Sequence, residues 1–373
     1  MNALTYPLHS LHNHRLRSVL TSASIGAAVA SLLALVGLSR GVDRAIVVSV
    51  EDRGTDIVAV RKGSVEVFTS DVDQSLGERI RAIPGVIGVL SSMGDVVELE
   101  SGQTTYIEGW STDGDFWQTL KITAGTPPDP SDMNAVVLGQ ALADSLGKKP
   151  GDQIELVGKS FRISAISKQA SVIDDRSVMM PLASMQQLLD REGKVSGFHI
   201  RIDRPGDSAH LAQVLNRLTE SFPQLAFVES SDMANYVQIT GVLRAMAWAS
   251  STVALVMAFV IVLNTQLMAV TERTREIGLL SAIGWKPWRT IVSIILEGVL
   301  MAAAGTVFGI GGGLLGLKLL MMNPRVGGFL QPEVTYVLVI ECVALVLFVG
   351  ALGGLYPAWR ATQSRPMGLL RGE

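Results

Sequence analysis

Four long apolar runs constrain this chain more than any other feature of it. Residues 19–40, 239–270, 291–320 and 334–356 each carry about 20 or more residues with few charges, enough to cross a ~30 Å hydrocarbon core as a helix. In lipid every backbone N–H and C=O must find its partner within the protein, so such runs admit helices and little else. Between the first two lies a polar block, residues 41–238, and the mean hydropathy of +0.36 averages over these two populations. The segment 271–290 carries Arg273, Arg275, Lys286 and Arg289, and the tail 357–373 carries Arg360, Arg365 and Arg371. The loop 321–333 has only Arg325 as a basic residue. Positive charge favours the cytoplasmic side, so both termini and 271–290 are expected inside and the polar block outside. Arg40 and Arg44 oppose this orientation, but a long outside domain crosses largely regardless of its charge.

The first run exceeds the ~7–15-residue core of a secretory signal, so it reads as an uncleaved anchor. Residues 1–18 lead into it with Leu4, Leu8, Leu11 and Leu16 towards one side and Arg15 and Arg17 at the end, the pattern of a helix lying in the cytoplasmic interface. His9, His12 and His14 have no cysteine or carboxylate beside them, so no metal site is expected there. Cys342 is the single cysteine, so the polar block must fold through its own core without a disulfide. The net charge of −3 and the lack of a basic stripe argue against nucleic acid as a partner.

The polar block has an α+β pattern. Strands are expected at 45–50, 56–60, 86–90, 96–99 and 105–108, with a helix over 74–83. Residues 135–166 look like a separate small unit: a helix at 140–146, then strands at 153–157 and 161–165. A strand at 178–181, a helix at 182–191, a strand at 198–202, a helix at 210–222 and a strand at 226–228 complete it. Ser230-Ser231-Asp232 offers an N-cap, after which one helical pattern runs unbroken from 233 to 270, longer than a bilayer requires. In the third run Gly305, Gly309 and Gly313 recur every four residues and make a smooth stripe of the kind that lets helices approach closely in lipid. That stripe serves packing within the chain or dimerisation equally well. Glu297 and Glu341 are acids within apolar runs; such groups are costly and need a partner or a polar cavity.

Catalytic chemistry is absent from these patterns. Gly158-Lys159-Ser160 resembles the end of a phosphate loop, but Gln153 stands where the motif needs its first glycine. No nucleophile elbow, zinc-protease motif or Cys–His pair of useful spacing occurs. Asp113/Asp115 and Asp174/Asp175 read as solvated loop charges, and His199 and His210 as packing or surface residues. The chain is therefore not expected to be an enzyme. The segment between the second and third runs is more informative. Ile277, Leu280 and Ile283 follow helical spacing behind Arg273, Arg275 and Glu276; Gly284 suits a helix stop and Pro287 a first turn. It is either a plain loop or a short helix under the membrane that meets a cytoplasmic partner.

Three motifs then point to a family. Glu272-Arg273-Thr274-Arg275-Glu276-Ile277-Gly278 followed by Ala282-Ile283-Gly284, the ending Tyr356-Pro357-Ala358 with Pro366 and Leu370-Arg371, and the entry Arg17-Ser18-Val19-Leu20-Thr21 together resemble the permease family of MacB, FtsX and LolC/LolE. Ser281, Gly368-Leu369 and the Trp285-Lys286-Pro287-Trp288 turn depart from its pattern. The resemblance implies a type VII ABC transporter permease: four transmembrane helices with a large extracytoplasmic α+β domain between the first and second, its porter-like part near 45–125 and 198–228 interrupted by a sabre-like insertion near 135–196. It implies a coupling helix with Glu272, Arg273, Arg275, Glu276, Ile277, Gly278, Leu280, Ala282 and Gly284, and packing or dimer contacts at Glu297, Gly305, Gly309 and Gly313. It implies two copies of a separate cytoplasmic ABC ATPase that holds the ATP and Mg2+, with no cofactor in this chain, and a second permease chain, identical or paralogous. A periplasmic adaptor or substrate carrier is compatible with it. The expected setting is the bacterial inner membrane, and the expected function mechanotransmission that drives export or extraction of a lipophilic or peptide substrate. The alternative is an FtsX-like regulator that passes force to an extracytoplasmic hydrolase without transport.

Overall fold

The computed structural model describes residues 15–63, 70–113, 115–129, 132–322 and 331–363; of the interfacial helix expected over 1–18, residues 1–14 with the three histidines lie outside them, and Arg15 to Ser18 open the first long helix. Two compact units emerge. One holds residues up to 40 with 243–320 and 332 onwards; the other holds 41–242 with 321–331. Among the described residues four helices are long and apolar enough to cross a membrane, at Leu16–Glu51, Thr240–Glu272, Pro287–Met321 and Tyr336–Thr362.

In the apolar unit, helix α1 (Arg15–Glu51) contributes its N-terminal part. Ile25, Ala28 and Val29 pack with Ala258, Val262, Met301, Ala302 and Val346 in one buried cluster. Leu32, Leu33 and Val36 pack with Leu317, Leu338 and Cys342 in a second. The final helix runs Tyr336–Gln363 with Pro357 inside it, seven residues beyond the boundary expected at 356. Ala358 and Ala361 are buried with Val270 and Ile294, and this packing holds the extra turns.

The polar unit is built on a ten-stranded mixed sheet. Its strands are β1 (Ile57–Arg61), β3 (Val86–Glu98), β4 (Thr104–Trp110), β5 (Ile122–Gly125), β6 (Ala135–Gly139), β7 (Gln153–Leu156), β8 (Lys159–Ser167), β9 (Ser177–Pro181), β11 (Gly197–Ile202) and β12 (Leu225–Glu229). A two-stranded ribbon, β2 (Val72–Asp73) with β10 (Lys194–Val195), stands apart. The spatial order is β12-β1-β11-β3-β4-β9-β6-β8-β5, with β7 paired to β8. Ile57 to Val60 are all buried, as befits a strand covered on both faces. Helix α2 (Leu76–Arg81) lies against β3, and α3 (Ser208–Ser221) is capped by Asp207, whose side chain accepts from the backbone N–H of Ala209 and His210. Leu211, Val214 and Leu218 put the buried stripe of α3 at helical spacing.

Four expectations are corrected by this unit. Residues 45–50 are helix, the end of α1, rather than strand. Their β-branched run is locally strand-like, but Ile46 and Val50 are one helical turn apart and pack on Val58, Val60, Met233 and Val237. Residues 86–90 and 96–98 belong to a single 13-residue strand, Val86–Glu98; Gly94 within it is the place where the Tyr106 ring lies too close for any Cβ. Residues 135–166 are not separate: β4 pairs parallel with β9 and β9 antiparallel with β6, so both halves share one sheet. One core also runs through it, from Ile57, Met93 and Phe198 to Leu138, Phe161 and Ile163. Even β5, placed by sequence in the porter-like part, sits at the far edge beside β8. Finally, the helix over 233–270 is broken. Met233–Tyr236 ends at Val237, which is extended, and a new helix, Gln238–Glu272, begins. Val237 is buried in the cluster with Ile46 and Val50, and the Thr240 hydroxyl donates to the Val237 carbonyl at 2.7 Å.

Candidate functional site

The turn between the second and third long helices is built from local capping. The second helix closes at Glu272, and the backbone N–H of Arg273 donates to the carbonyls of Ala269 and Val270. The Thr271 and Thr274 hydroxyls take up further carbonyls of the last turn, at 2.8 to 3.0 Å. A short helix then runs Thr274–Ala282. Gly284 has φ +91° and open space around it, the left-handed residue that ends a helix. Pro287 opens the next long helix, Pro287–Met321.

Two ion pairs tie this segment to the surrounding helices. One guanidinium nitrogen of Arg17, on α1, donates to both carboxylate oxygens of Glu272 at 2.6 and 2.8 Å. Arg273 Nη1 lies 3.5 Å from Glu297 Oε2, both side chains largely buried. Glu297, the acid within an apolar run singled out by sequence, therefore faces a cation from the turn between the second and third long helices. Ile277 packs on Val270, Ile294, Ala358 and Ala361, while Arg275, Glu276, Leu279 and Ile283 are exposed. Gly278 is half-buried on the same helix. Leu280 and Ala282 fall in its last turn, and their side chains lie outside the described set. Beneath the segment is a cavity of about 30 Å³ lined by Gln266, Arg273, Ile277, Trp285, Ser293 and Glu297 among others. That volume holds one or two waters and no substrate.

The glycine stripe faces the chain's own first helix. A Cβ on Gly305 would meet Ser22 O at 2.7 Å, one on Gly309 would meet Val29 Cβ at 2.5 Å, and one on Gly313 would meet Ala30 Cα at 3.2 Å. Glu341 pairs with Arg40 at 2.6 Å, which gives the second such acid its cation.

A buried charged cluster in the polar unit brings together residues that no sequence pattern groups. Arg53, just past α1, is buried and its Nη2 donates to Glu108 Oε2 and contacts Asp174 Oδ1, each at 2.8 Å. Trp110 Nε1 donates to the same Glu108 oxygen at 2.7 Å, and the Ser49 hydroxyl donates to Asp174 Oδ1 at 2.9 Å. The guanidinium stacks 4.5 Å from the Trp110 ring centre. Asp174 is thus a buried, paired carboxylate and not the solvated loop charge expected. Burial, with the neighbouring Glu108 charge, pushes its pKa up to about 7 against the pull of Arg53. His199 is buried between Thr55 and Ser92, and burial beside Arg53 drives its pKa down to about 3. Its imidazole is therefore neutral. Asp113 and Asp115 pair with Arg81 and Arg201 in partly exposed positions. Spacing could not have found the Arg53 cluster, because its members come from four separate segments. No group of three or more His, Cys, Asp or Glu suited to a metal occurs among the described residues.

Four helices long and apolar enough to cross a membrane, a mixed α/β domain after the first and a short charged helix between the second and third together define the class of a multi-pass membrane protein. Comparison with known families narrows that class. The MacB-like periplasmic core domain family matches residues 18–220 and the FtsX-like permease C-terminal family matches residues 248–366. The chain belongs to the MacB/FtsX family of ABC transporter permeases. It is 25% identical over 403 residues to the macrolide export ATP-binding/permease protein MacB of Shewanella oneidensis, covering 100% of this chain and 60% of that protein. It is 25% identical over 339 residues to MacB of Vibrio parahaemolyticus, covering 83% of this chain and 51% of that protein. The chain thus spans about half to three-fifths of the length of these relatives. An uncharacterised ABC transporter permease of Methanocaldococcus jannaschii is 23% identical over 99% of this chain and 98% of its own. Among solved structures, the periplasmic region of MacB from Actinobacillus actinomycetemcomitans covers 51% of this chain and 95% of its own at 11% identity and TM-score 0.40. The extracellular domain of the transporter YknZ covers 47% of this chain and 99% of its own at 11% identity and TM-score 0.37. Those structural likenesses are slight, and the assignment rests on the sequence matches.

Proposed function

We propose that this permease receives the work of ATP hydrolysis through the helix Thr274–Ala282 and uses it to export or extract a lipophilic or peptide substrate. The observation that carries this reading is the way that helix is held. It is anchored by Ile277 and by the Arg273–Glu297 contact, while Arg275, Glu276, Leu279 and Ile283 face outwards. A mixed charged and apolar face on a short helix suits docking into a groove of a partner protein. The partner is a cytoplasmic ABC ATPase, present in two copies against two permease chains, which supplies the ATP and Mg2+ chemistry this chain does not contribute. The basic residues of 271–290 and of the tail support a cytoplasmic setting for this helix and an extracytoplasmic one for the polar unit.

Co-expression with the candidate ATPase tests the reading. Reversing charge in Glu276→Lys should leave the permease folded and in the membrane, but lower the ATPase retained on purification and remove the permease's effect on ATP turnover. Retention and turnover equal to wild type would refute the docking assignment. If the ATPase is retained yet no lipophilic or peptide substrate moves in reconstituted vesicles, the force-transmitting regulator is the better account.

A further inference from the structure

The buried cluster around Arg53 has a charge count that does not close. One guanidinium serves two carboxylates, Glu108 and Asp174, through the same nitrogen. All three side chains are almost wholly buried, and His199, the nearest further candidate for a positive charge, is held neutral. Both carboxylates ionised would leave a net negative charge away from water, a costly arrangement. One oxygen, Glu108 Oε1, is also buried without a donor, and such an orphan needs an explanation. A proton on Asp174 resolves both: it neutralises the excess charge and supplies the donor that Glu108 Oε1 lacks. Two carboxylates too close to ionise together share a proton in this way.

We propose that the Glu108–Asp174 pair carries one proton and acts as a pH-sensitive latch that holds the last turn of α1 and Arg53 against the sheet of the polar unit. The latch has identifiable parts. Ser49 and Arg53 come from the end of α1 and the residues just after it, Glu108, Tyr106 and Trp110 from β4, Asp174 from the 3-10 turn before β9, and His199 from β11. The titratable and charged groups beside Asp174 are Arg53, Glu108 and Tyr106, and His199 meets the cluster through Arg53. Burial, with Glu108 and Asp174 beside it, pushes the Tyr106 hydroxyl well above the ordinary tyrosine range, so it stays neutral, as His199 does. Only Asp174 is left to titrate near neutrality. When the proton leaves to solvent, two ionised carboxylates face the single Arg53 guanidinium, and their repulsion pushes the turn that carries Asp174 away from β4, loosening the cluster that holds Ser49 and Arg53.

The sign follows from linkage. Asp174 has an ordinary pKa near 3.8 when unfolded and about 7 when folded, so the folded state binds the extra proton between those values. Stability contributed by the latch is complete below the lower value and is lost as pH rises towards about 7, by roughly tenfold in the folding equilibrium per pH unit. Below about pH 5.5 other carboxylates titrate, so the window to read is about 5.5 to 8.

The test uses the full chain in lipid nanodiscs, comparing wild type, Asp174→Asn and Glu108→Gln by thermal unfolding across that window. The wild-type midpoint should fall as pH rises, and both variants should flatten the fall, since each leaves one carboxylate for one guanidinium. A fall of equal steepness in both variants overturns the proposal. Should either variant fail to fold, infrared difference spectra of the wild type decide: a protonated-carboxyl band that disappears between about pH 5.5 and 8 is expected, and its absence at the lower pH refutes the shared proton. The outcome does not depend on whether the chain docks an ATPase.

Discussion

Adding a single methyl group at Gly309 should destabilise the membrane unit, whereas adding one at Gly312 on the same helix should not. A Cβ at 309 would lie 2.5 Å from Val29 Cβ and 2.6 Å from Gly26 O. Carbon atoms in contact sit ~3.5–4.0 Å apart, so Gly309→Ala must push the first and third long helices apart by about 1 Å or break rotamers along the seam. Overpacking of this kind costs about 1–3 kcal/mol. At Gly312 nothing lies within 4 Å, and alanine is favoured over glycine in a helix interior by about 1 kcal/mol. Thermal unfolding of the full chain in nanodiscs should therefore show opposite signs: a midpoint lower by a few degrees for Gly309→Ala and unchanged or raised for Gly312→Ala. Gly305→Ala should behave like Gly309→Ala, because Ser22 O and Ile25 Cβ stand 2.7 and 2.8 Å away. If Gly309→Ala and Gly312→Ala shift the midpoint equally, the stripe does not pack on the first helix and the seam described here is wrong.

Three other perturbations follow from the same physics. Arg53→Met leaves the buried negative charge of the Glu108–Asp174 pair without a cation and should cost about 3–5 kcal/mol in an unfolding titration, much of it recovered when Glu108→Gln and Asp174→Asn are added; no recovery would show that packing, not charge, is lost. Arg273→Gln and Glu297→Gln should each weaken the hold on the short helix, and a double-mutant cycle should return a coupling of about 0.5–3 kcal/mol; a value of zero would mean the 3.5 Å approach contributes nothing. Gly284→Val places a β-branched residue at φ +91°, a strain of about 1–2 kcal/mol, and should speed amide exchange over residues 279–289; unchanged exchange would mean the turn tolerates a side chain.

The membrane part of this fold was legible because lipid leaves the chain few options. Runs of apolar residues, Gly284 as a stop and Pro287 as a start each act locally: the short helix ends at Ala282 and the next opens at Pro287, while tertiary packing carries the first and last long helices to Glu51 and Gln363, past the ends of their apolar runs. The polar unit was harder. Its strands could be read from alternation and β-branching, yet Ile46 and Val50 are helical because of residues near 58 and 235, and Gly94 is decided by Tyr106 across the strand pair. The joining of the two halves through β4 and β9 depends on pairing across about seventy residues, which no local pattern encodes. The candidate coupling helix was visible as a motif, while its anchorage was not, since the partners Arg17 and Glu297 carry no signal of mutual distance. The Arg53 cluster was invisible for the same reason. Asp174-Asp175 looks like any acidic turn until Arg53 and Glu108 are brought to it.

The position of β1 in the sheet has a consequence for how the chain is made. Ile57 pairs with Ile200 and with Glu229, so both neighbours of this strand are synthesised long after it. At roughly 5–20 residues per second, the 143 residues between Ile57 and Ile200 represent a wait on the order of ten seconds. Throughout it, Ile57, Val58, Ala59 and Val60, all buried in the finished sheet, stand next to a membrane anchor as an apolar segment with both edges open. Such segments are templates for wrong pairing, and long-range closure is slow. Biogenesis of the polar unit therefore depends on keeping this strand from other chains until β11 arrives, and conditions that slow or truncate synthesis before residue 197 should yield aggregates seeded at residues 57–61.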